Sequence, residues 1–283
     1  MARTPGANVP KTGRSGSTPP GARHRIDWVV VGAIVAVIAL IGGLAWYLVP
    51  KFLDEQEAQG LKPQTVAEYV PSAQNPDPSD DIPGVTKIYY RAAQHVRADQ
   101  RVAYDQSPPF GGPHDEVWAT CTGIVYPNTL RSENAVHALE HGAVWITYNP
   151  DTITDADLDT LAKKVSGEQF LFLSPYPGLD HPISLQSWGH QLKLDTADDP
   201  RVDEFITALR RNTTPGVYQE NPSAAAFPET QAACTAIPGS FDPSNPPPAD
   251  EGAPGPDAVQ MDGTGATLGA GQDMGAGEPS PAG

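Results

Sequence analysis

The chain of 283 residues carries 18 Lys and Arg against 34 Asp and Glu, which gives a formal net charge of −16 at pH 7. Residues 28–283 alone hold 13 basic and 33 acidic residues, a charge of about −20 that argues against nucleic-acid binding, because phosphates require a cationic surface. The sequence contains no phosphate-binding loop, dinucleotide fingerprint or G-x-S-x-G elbow, which argues against a nucleotide-dependent enzyme.

The first 49 residues predict a basic tail followed by one transmembrane helix. Residues 1–25 contain five basic residues, no acidic residue and many small or turn-forming residues, a composition typical of a disordered cytoplasmic tail. The predicted helix, residues 26–49, includes 22 consecutive uncharged residues from Trp28 to Val49, enough to cross a hydrocarbon core of about 30 Å. Because basic flanks stay in the cytoplasm, we expect a single-pass type II protein of the cell membrane whose remaining chain lies outside. The alternative is a cleaved signal peptide, although the apolar region of such a peptide is usually shorter.

The rest of the chain divides into three predicted parts. Residues 50–84 predict an acidic, Pro-rich spacer, residues 85–237 an extracytoplasmic domain, and residues 238–283 a disordered tail rich in Pro, Gly, Ala and acids. Within the domain, sequence patterns predict helices at 86–97, 133–141, 154–165 and 201–211, and strands at 143–148, 169–174 and 183–188. This order predicts an α+β fold, a small mixed sheet with helices packed on it. The order is also similar to half of a thioredoxin-like fold, without a Cys-x-x-Cys pair.

The predicted helix 133–141 is the segment in which titratable side chains are arranged as a site. Its polar residues share one face and its apolar residues the other, while Ser132 is a typical N-cap and Gly142 a typical residue after a helix end. His137 and His141 are four residues apart, so their imidazoles project from the same face. This spacing allows two imidazoles to bind one metal ion.

A third imidazole is available from the loop that precedes this helix. His114 follows Gly111, Gly112 and Pro113, and we predict that it completes a metal site with His137 and His141. Neutral imidazole suits copper and zinc, which are the candidate cofactors. The alternative is a structural polar network, in which the same imidazoles hydrogen-bond backbone or Glu side chains.

The same helix also contains the string H-x-x-E-H, which is the signature of inverted zinc proteases. In that alternative Glu140 would be the base of a metal-dependent hydrolase. The helix is expected to end at Gly142, immediately after the motif, and no partner helix with a third carboxylate is evident. We therefore expect a protein without catalytic residues.

The cysteines predict a further covalent link. Cys121 and Cys234 are the two cysteines of the chain, and in an oxidising compartment we expect them to form a disulfide. The alternatives are that Cys121 is a thiolate metal ligand or that both thiols are free.

For the remaining histidines and the large aromatic residues, the sequence predicts only a position at the surface or in the core. His181 and His190 flank the predicted strand 183–188 and are expected at the surface or at a sheet edge, and His95 is expected on a solvated helix face. Trp118 and Trp188 are expected in the core, with a ligand-binding groove as the alternative.

Several short motifs together resemble a known family. They are Pro108 to His114 (PPFGGPH), Trp118, Gly123, Tyr126, His137 to Tyr148 (HALEHGAVWITY) and Pro182 to Gly189 (PISLQSWG). Over residues 85 to 212 the chain is similar to bacterial domain-of-unknown-function family 3105, with HALEHG as the specific part. The resemblance implies relatives but no reaction.

These observations predict a membrane-anchored extracytoplasmic protein with a His-centred site for copper or zinc. The predicted partners are the membrane, through residues 26–49, and a membrane protein of unspecified identity. The alternatives are an accessory or scaffolding subunit of a membrane complex with a structural His cluster, and the hydrolase that uses Glu140.

Overall fold

The computed structural model describes residues 66–90, 94–249 and 252–267. Three α-helices lie in these residues: α1 (Ser132–Glu140), α2 (Asp155–Val165) and α3 (Arg201–Leu209). The strands are β1 (Thr86–Lys87), β2 (His95–Val96), β3 (His114–Asp115), β4 (Thr122–Val125), β5 (Val144–Tyr148), β6 (Leu171–Pro175), β7 (Ile183–Ser187) and β8 (His190–Leu194). Two 3-10 turns, Ala67–Tyr69 and Pro78–Asp81, precede the first strand.

Six of the strands form one mixed sheet in the order β1-β8-β7-β5-β6-β4. Strands β4 and β5 run parallel to β6, whereas β5, β7, β8 and β1 pair antiparallel in succession. Helix α2 makes the crossover between the parallel strands β5 and β6. The predicted α+β fold with a small mixed sheet is confirmed.

Local sequence signals explain where the helices begin and which face they bury. Thr154 accepts a hydrogen bond from the backbone N–H of Asp157 at 3.1 Å, as expected of an N-cap, and α2 then buries Leu161 against the core. Helix α3 buries Val202 and Phe205 with other residues at helical spacing. The predicted helices at 133–141, 154–165 and 201–211 are confirmed to within two residues at each end.

The predicted helix at 86–97 is wrong. The backbone N–H of Ile88 bonds the carbonyl of Gly189 at 2.8 Å, next to the pairing of β1 with β8, and His95 begins a second, two-stranded sheet. Tertiary pairing overrides helix propensity here, because the edge of β8 offers backbone partners to the β-branched and aromatic residues of this segment. Residues 91–93 lie outside the described part of the chain.

The expected spacer and tail contribute more structure than their composition suggests. Asp77 and Ser79 are buried, and the 3-10 turns pack near α3. Beyond the domain, Val259 is buried against Val102 and exchanges backbone hydrogen bonds with Arg101 and Ala103 at 2.8 Å. Segments 66–84 and 252–267 therefore extend the folded part past the predicted limits of 85–237.

The membrane prediction falls on residues that the structure does not describe. The predicted tail 1–25 and transmembrane helix 26–49 lie outside the described residues, as do residues 268–283. Within 66–90, 94–249 and 252–267, no helix has the length and apolar character needed to cross a bilayer.

Candidate metal centre

Helix α1 lies inside the domain, with both of its faces covered. Its apolar face, which includes Val136 and Leu139, is fully buried in the core. The predicted polar face is also buried, and it binds the surrounding loops: Glu133 accepts the N–H of Val102 at 2.8 Å, and Asn134 donates to the carbonyl of Val117 at 2.7 Å. The polar face is therefore the wall of an interior site.

Of the two predicted ends of α1, the C-terminal end is correct and the N-terminal cap is not. Ser132 is the first helical residue, and the N-cap is Arg131, which makes no capping side-chain bond, so the Ser132 cap was a wrong prediction. Gly142 has a φ of +87°, and a Cβ added there would lie 2.6 Å from the Phe227 ring. Gly142 thus ends the helix in a conformation that glycine adopts easily, and the chain turns into β5.

Four side chains meet beside the buried polar face, and we call them the inner group: His95, His114, His137 and Glu140. One ligand atom from each lies within 4.8 Å of those of the others. Strands β2 and β3 pair in parallel and set His95 opposite His114, with ring centroids 5.1 Å apart. The His137 ring lies 4.9 Å from that of His95 and 4.7 Å from that of His114. Three elements distant in sequence thus assemble one cluster of nitrogen and oxygen ligands.

The backbone fixes which ring nitrogen faces the cluster. Nδ1 of His114 donates to the carbonyl of Gly112 at 2.9 Å, and Nδ1 of His137 donates to that of Asp115 at 2.6 Å. Because a carbonyl oxygen can only accept, each ring carries a proton on Nδ1, and in the neutral form Nε2 presents a lone pair. Histidines that bind metals are commonly oriented in this way.

The His114 and Glu140 side chains approach each other without completing a hydrogen bond. Nε2 of His114 and Oε2 of Glu140 are 2.7 Å apart, and the two side chains are 0% and 2% exposed. Neither atom has a correctly oriented hydrogen-bond partner among the described residues. A buried lone pair and a buried carboxylate oxygen in this arrangement are costly alone, and a shared cation would satisfy both.

The pKa shifts of two of these imidazoles, those of His137 and His95, favour the neutral form that binds metals. Burial, together with the neighbouring rings of His114, His141 and His95, holds the pKa of His137 well below its usual range. Burial and His114 also lower the pKa of His95. Neutral imidazole is the ligand for copper and zinc, and the Glu140 carboxylate would supply a negative charge.

A second cluster, which we call the outer group, shares one member with the inner group. It consists of His137, His141 and Glu229, with ligand atoms again within 4.8 Å of one another. Nδ1 of His141 donates to the carbonyl of Ala233 at 2.8 Å, and its Nε2 is 3.1 Å from Oε2 of Glu229. Hydrogen bonding to His141 lowers the pKa of Glu229 in spite of partial burial. The Glu229 side chain is 46% exposed, so the outer group reaches the surface.

The predicted disulfide between Cys121 and Cys234 is confirmed. The N–H of Cys121 also donates to the carbonyl of Cys234 at 3.1 Å. Because Ala233 adjoins Cys234, the link fixes the carbonyl that orients His141. The alternatives of a thiolate ligand and of free thiols are wrong.

The three predicted ligands do not all lie in one group: His137 belongs to both groups, His114 only to the inner group and His141 only to the outer group. His114 and His137 belong to the inner group, whereas His141 lies beside His137, with their ring centroids 4.7 Å apart, and meets Glu229. His95 was predicted to be solvated on a helix, and this is wrong because its strand pairs with β3 and turns the ring inward. No sequence pattern indicated His95 or Glu229 as a ligand. His95 reaches the inner group through the pairing of β2 with β3, and Glu229 reaches the outer group through a backbone hydrogen bond to Glu140.

The two other described histidines have separate partners. His190 was expected at the surface but is fully buried, with Nε2 3.2 Å from Oδ2 of Asp77. The prediction failed because residues 66–84 fold over this end of the sheet. His181 is 42% exposed and lies 3.2 Å from Asp180, which agrees with its expected surface position.

Aromatic rings surround the imidazoles. The Trp118 ring centroid lies 4.6 Å from that of His141 and 5.3 Å from that of His137, and the Trp188 ring lies 5.9 Å from His114. The structure shows no groove between Trp118 and Trp188 at the cluster, because His137 packs beside Trp118, His114 packs beside Trp188, and the two imidazoles contact each other. Cavities of about 550 and 510 Å³ occur in the domain, but none of the six histidines that the structure describes lines either one.

The fold and the site define an α+β domain with a buried His and Glu cluster that a disulfide helps to close. Residues 95–235 match the model of the family described as "Protein of unknown function (DUF3105)", and the chain belongs to this family. The matched segment begins at His95 and ends just after Cys234, so it contains every member of both groups. The chain matches no curated protein and no solved structure, and the likeness to half of a thioredoxin-like fold stays a prediction.

Proposed function

We propose that this domain binds one zinc or copper ion through the inner group and that it is a metal-binding protein without catalytic activity. The observation that carries the proposal is the pair of His114 Nε2 and Glu140 Oε2, fully buried, 2.7 Å apart and without correctly oriented hydrogen-bond partners in the described part of the chain. A dication coordinated by both atoms would convert a costly contact into a stabilising one.

The ligand set indicates which ions fit. Three imidazoles and one carboxylate give four nitrogen and oxygen ligands, the number that a closed zinc site uses. The same ligands bind Cu(II) more tightly than other divalent ions of the first transition series, so supply would decide between the two metals. The backbone carbonyls that hold His114 and His137 would preserve their orientation in either case.

The hydrolase alternative receives less support from the geometry. Glu140 lies inside the cluster against His114, where it is placed as a ligand rather than as a base beside a substrate cleft. The scaffolding alternative is supported by the many bonds between the polar face of α1 and its loops, and it predicts that His substitutions lower stability without affecting any ion.

Metal analysis separates these functions. We expect the purified full chain to retain about one equivalent of zinc or copper after dialysis, His137→Ala to lose it, and the exposed control His181→Ala to keep it. If the wild-type chain retains no more metal than a variant in which His114, His137 and His141 are all Ala, the metal proposal is wrong. Hydrolysis of a peptide or ester that Glu140→Gln abolishes without loss of metal would instead support the enzyme.

We also propose that residues 26–49 anchor the chain in the cell membrane, with the domain outside the cytoplasm and near a membrane-protein partner. Five basic residues before the apolar run support this orientation, and a disulfide is the form expected in an oxidising compartment. A reporter that is active only outside the cytoplasm should work when fused after Gly283 and fail when fused before Arg3. The reverse pattern would contradict the orientation.

A further inference from the structure

The outer group has the features of a surface position for the same ion that we assign to the inner group. Two imidazoles and one carboxylate converge in it, as in many metal sites, but one of its ligands, Glu229, is 46% exposed. In the inner group the His114 and Glu140 side chains are at most 2% exposed. His95 of the inner group is half-buried, and Glu229 is the most exposed ligand of the two groups, so an ion from solution meets the Glu229 carboxylate first.

The two groups cannot both be filled through their shared histidine. Nδ1 of His137 donates to the carbonyl of Asp115 at 2.6 Å, which leaves Nε2 as the one nitrogen with a lone pair. One lone pair binds one ion. In addition, two dications on either side of one imidazole would face only two carboxylates in these groups, those of Glu140 and Glu229, and would repel each other in a medium of low dielectric constant.

The segment that carries Glu229 is held against α1 by several independent contacts. The backbone N–H of Glu229 donates to the carbonyl of Glu140 at 3.1 Å, and the disulfide fixes Cys234. Arg211 donates to the carbonyls of His141, Thr230 and Ala232 at 3.1 to 3.3 Å. These contacts hold the Glu229 backbone against α1, and its exposed carboxylate lies 3.1 Å from Nε2 of His141.

We infer that the outer group is the entry position through which a metal ion reaches the inner group, an inference that rests on the proposed metal-binding function. Glu229 and His141 capture the ion, and His137 binds it next. The ion then exchanges His141 and Glu229 for His114, Glu140 and His95, while His137 remains its ligand. The ring centroids of His141 and His114 each lie 4.7 Å from that of His137, so the transfer spans a single imidazole. The step is ligand exchange and needs no oxidant or reductant.

The kinetics of loading test this inference. Metal-free full chain is mixed with Cu(II) in a stopped-flow instrument, and binding is followed by quenching of tryptophan fluorescence, since the Trp118 ring lies 4.6 Å from His141. Release is measured with an excess of chelator. We expect Glu229→Gln to slow both loading and release by about tenfold, because it removes a charge that steers the ion along the path but not a final ligand. The affinity should then change by less than about threefold.

Matched variants control for charge and folding. Glu220→Gln removes another exposed carboxylate of the same stretch and should leave both rates unchanged, whereas Glu229→Asp should restore part of the loading rate. Unchanged rates in Glu229→Gln would overturn the inference and leave the metal site intact. Faster release with unchanged loading would also overturn it, because Glu229 would then be a ligand of the final position. If the wild-type chain binds no copper or zinc at all, the proposed function itself fails.

Discussion

Two buried pairs of histidine and carboxylate in this domain look alike but are completed in different ways. In each, the ring donates from Nδ1 to the carbonyl two residues earlier: His114 to Gly112 at 2.9 Å and His190 to Trp188 at 2.8 Å. Each Nε2 then faces a buried carboxylate, at 2.7 Å for Glu140 and at 3.2 Å for Asp77. The first pair belongs to the inner group. The second, with Lys87, we call the anchor group.

The difference lies in what else binds the carboxylate. Asp77 accepts the Ser79 hydroxyl at 2.6 Å, pairs with the Lys87 ammonium and bonds His190, so its charge is neutralised by the protein. Among the described residues, Glu140 pairs with His114 and with no Lys or Arg, and its Oε2 lacks a correctly oriented hydrogen-bond partner. A buried carboxylate that the protein satisfies serves structure, whereas the incomplete surroundings of Glu140 are what the proposed cation would satisfy. The anchor group is therefore an internal control for the inner group.

The largest effect is expected from removing the disulfide. Replacing Cys121 and Cys234 with Ser should lower the free energy of unfolding by about 4 kcal/mol, because the link closes a loop of more than a hundred residues. Chemical denaturation measures this loss. The substitution should also weaken the outer group, which depends on the Ala233 carbonyl, and leave the anchor group intact. Retention of full stability would show that the segment around Cys234 is held by other contacts.

The same substitution at His114 and at His190 should have opposite consequences: one should lower the affinity for zinc and the other the free energy of unfolding. His114→Gln should lower the affinity for zinc by about 100-fold or more, since it removes a ligand, and should change the stability of the metal-free chain little. His190→Gln should lower the free energy of unfolding by about 2 kcal/mol, because Asp77 loses a buried partner, and should leave zinc affinity unchanged. Calorimetric titration and urea unfolding of both variants supply the four values. Equal effects of the two variants on affinity would remove the distinction between the groups.

The smallest effect is expected in how the free energy of unfolding depends on pH in the acidic range. Burial raises the pKa of Asp77, but the hydrogen bond and charge of His190 and the Lys87 ammonium outweigh it and hold the pKa well below its usual range. A carboxylate with a depressed pKa stabilises the folded state above its unfolded pKa of about 4, and this contribution is lost as the pH falls below that value. As the pH falls below about 4, the free energy of unfolding should decrease more steeply for the wild-type chain than for Asp77→Asn. Parallel curves for the two proteins would show that Asp77 makes no such contribution.

Local sequence signals predicted the parts of the site that lie on one element. Helix α1, its polar face and its end at Gly142 follow from spacing and from glycine's freedom at positive φ, and the disulfide follows from two cysteines in an expected oxidising compartment. His95 could not be placed, because its inward orientation depends on a two-residue parallel pairing with His114. Glu229 and Asp77 enter their groups from segments that look like loops or spacers by composition, so their roles became visible only in three dimensions.

The coordination of zinc in the loaded full chain tests the central claim most directly. X-ray absorption should find four nitrogen and oxygen ligands at about 2.0 to 2.1 Å, with the multiple-scattering signal of three imidazoles. Glu140→Gln should change the oxygen shell and His95→Gln should remove one imidazole, whereas Glu229→Gln should leave the spectrum unchanged. A shell with two imidazoles that changes in Glu229→Gln but not in Glu140→Gln would place the ion in the outer group and contradict the account.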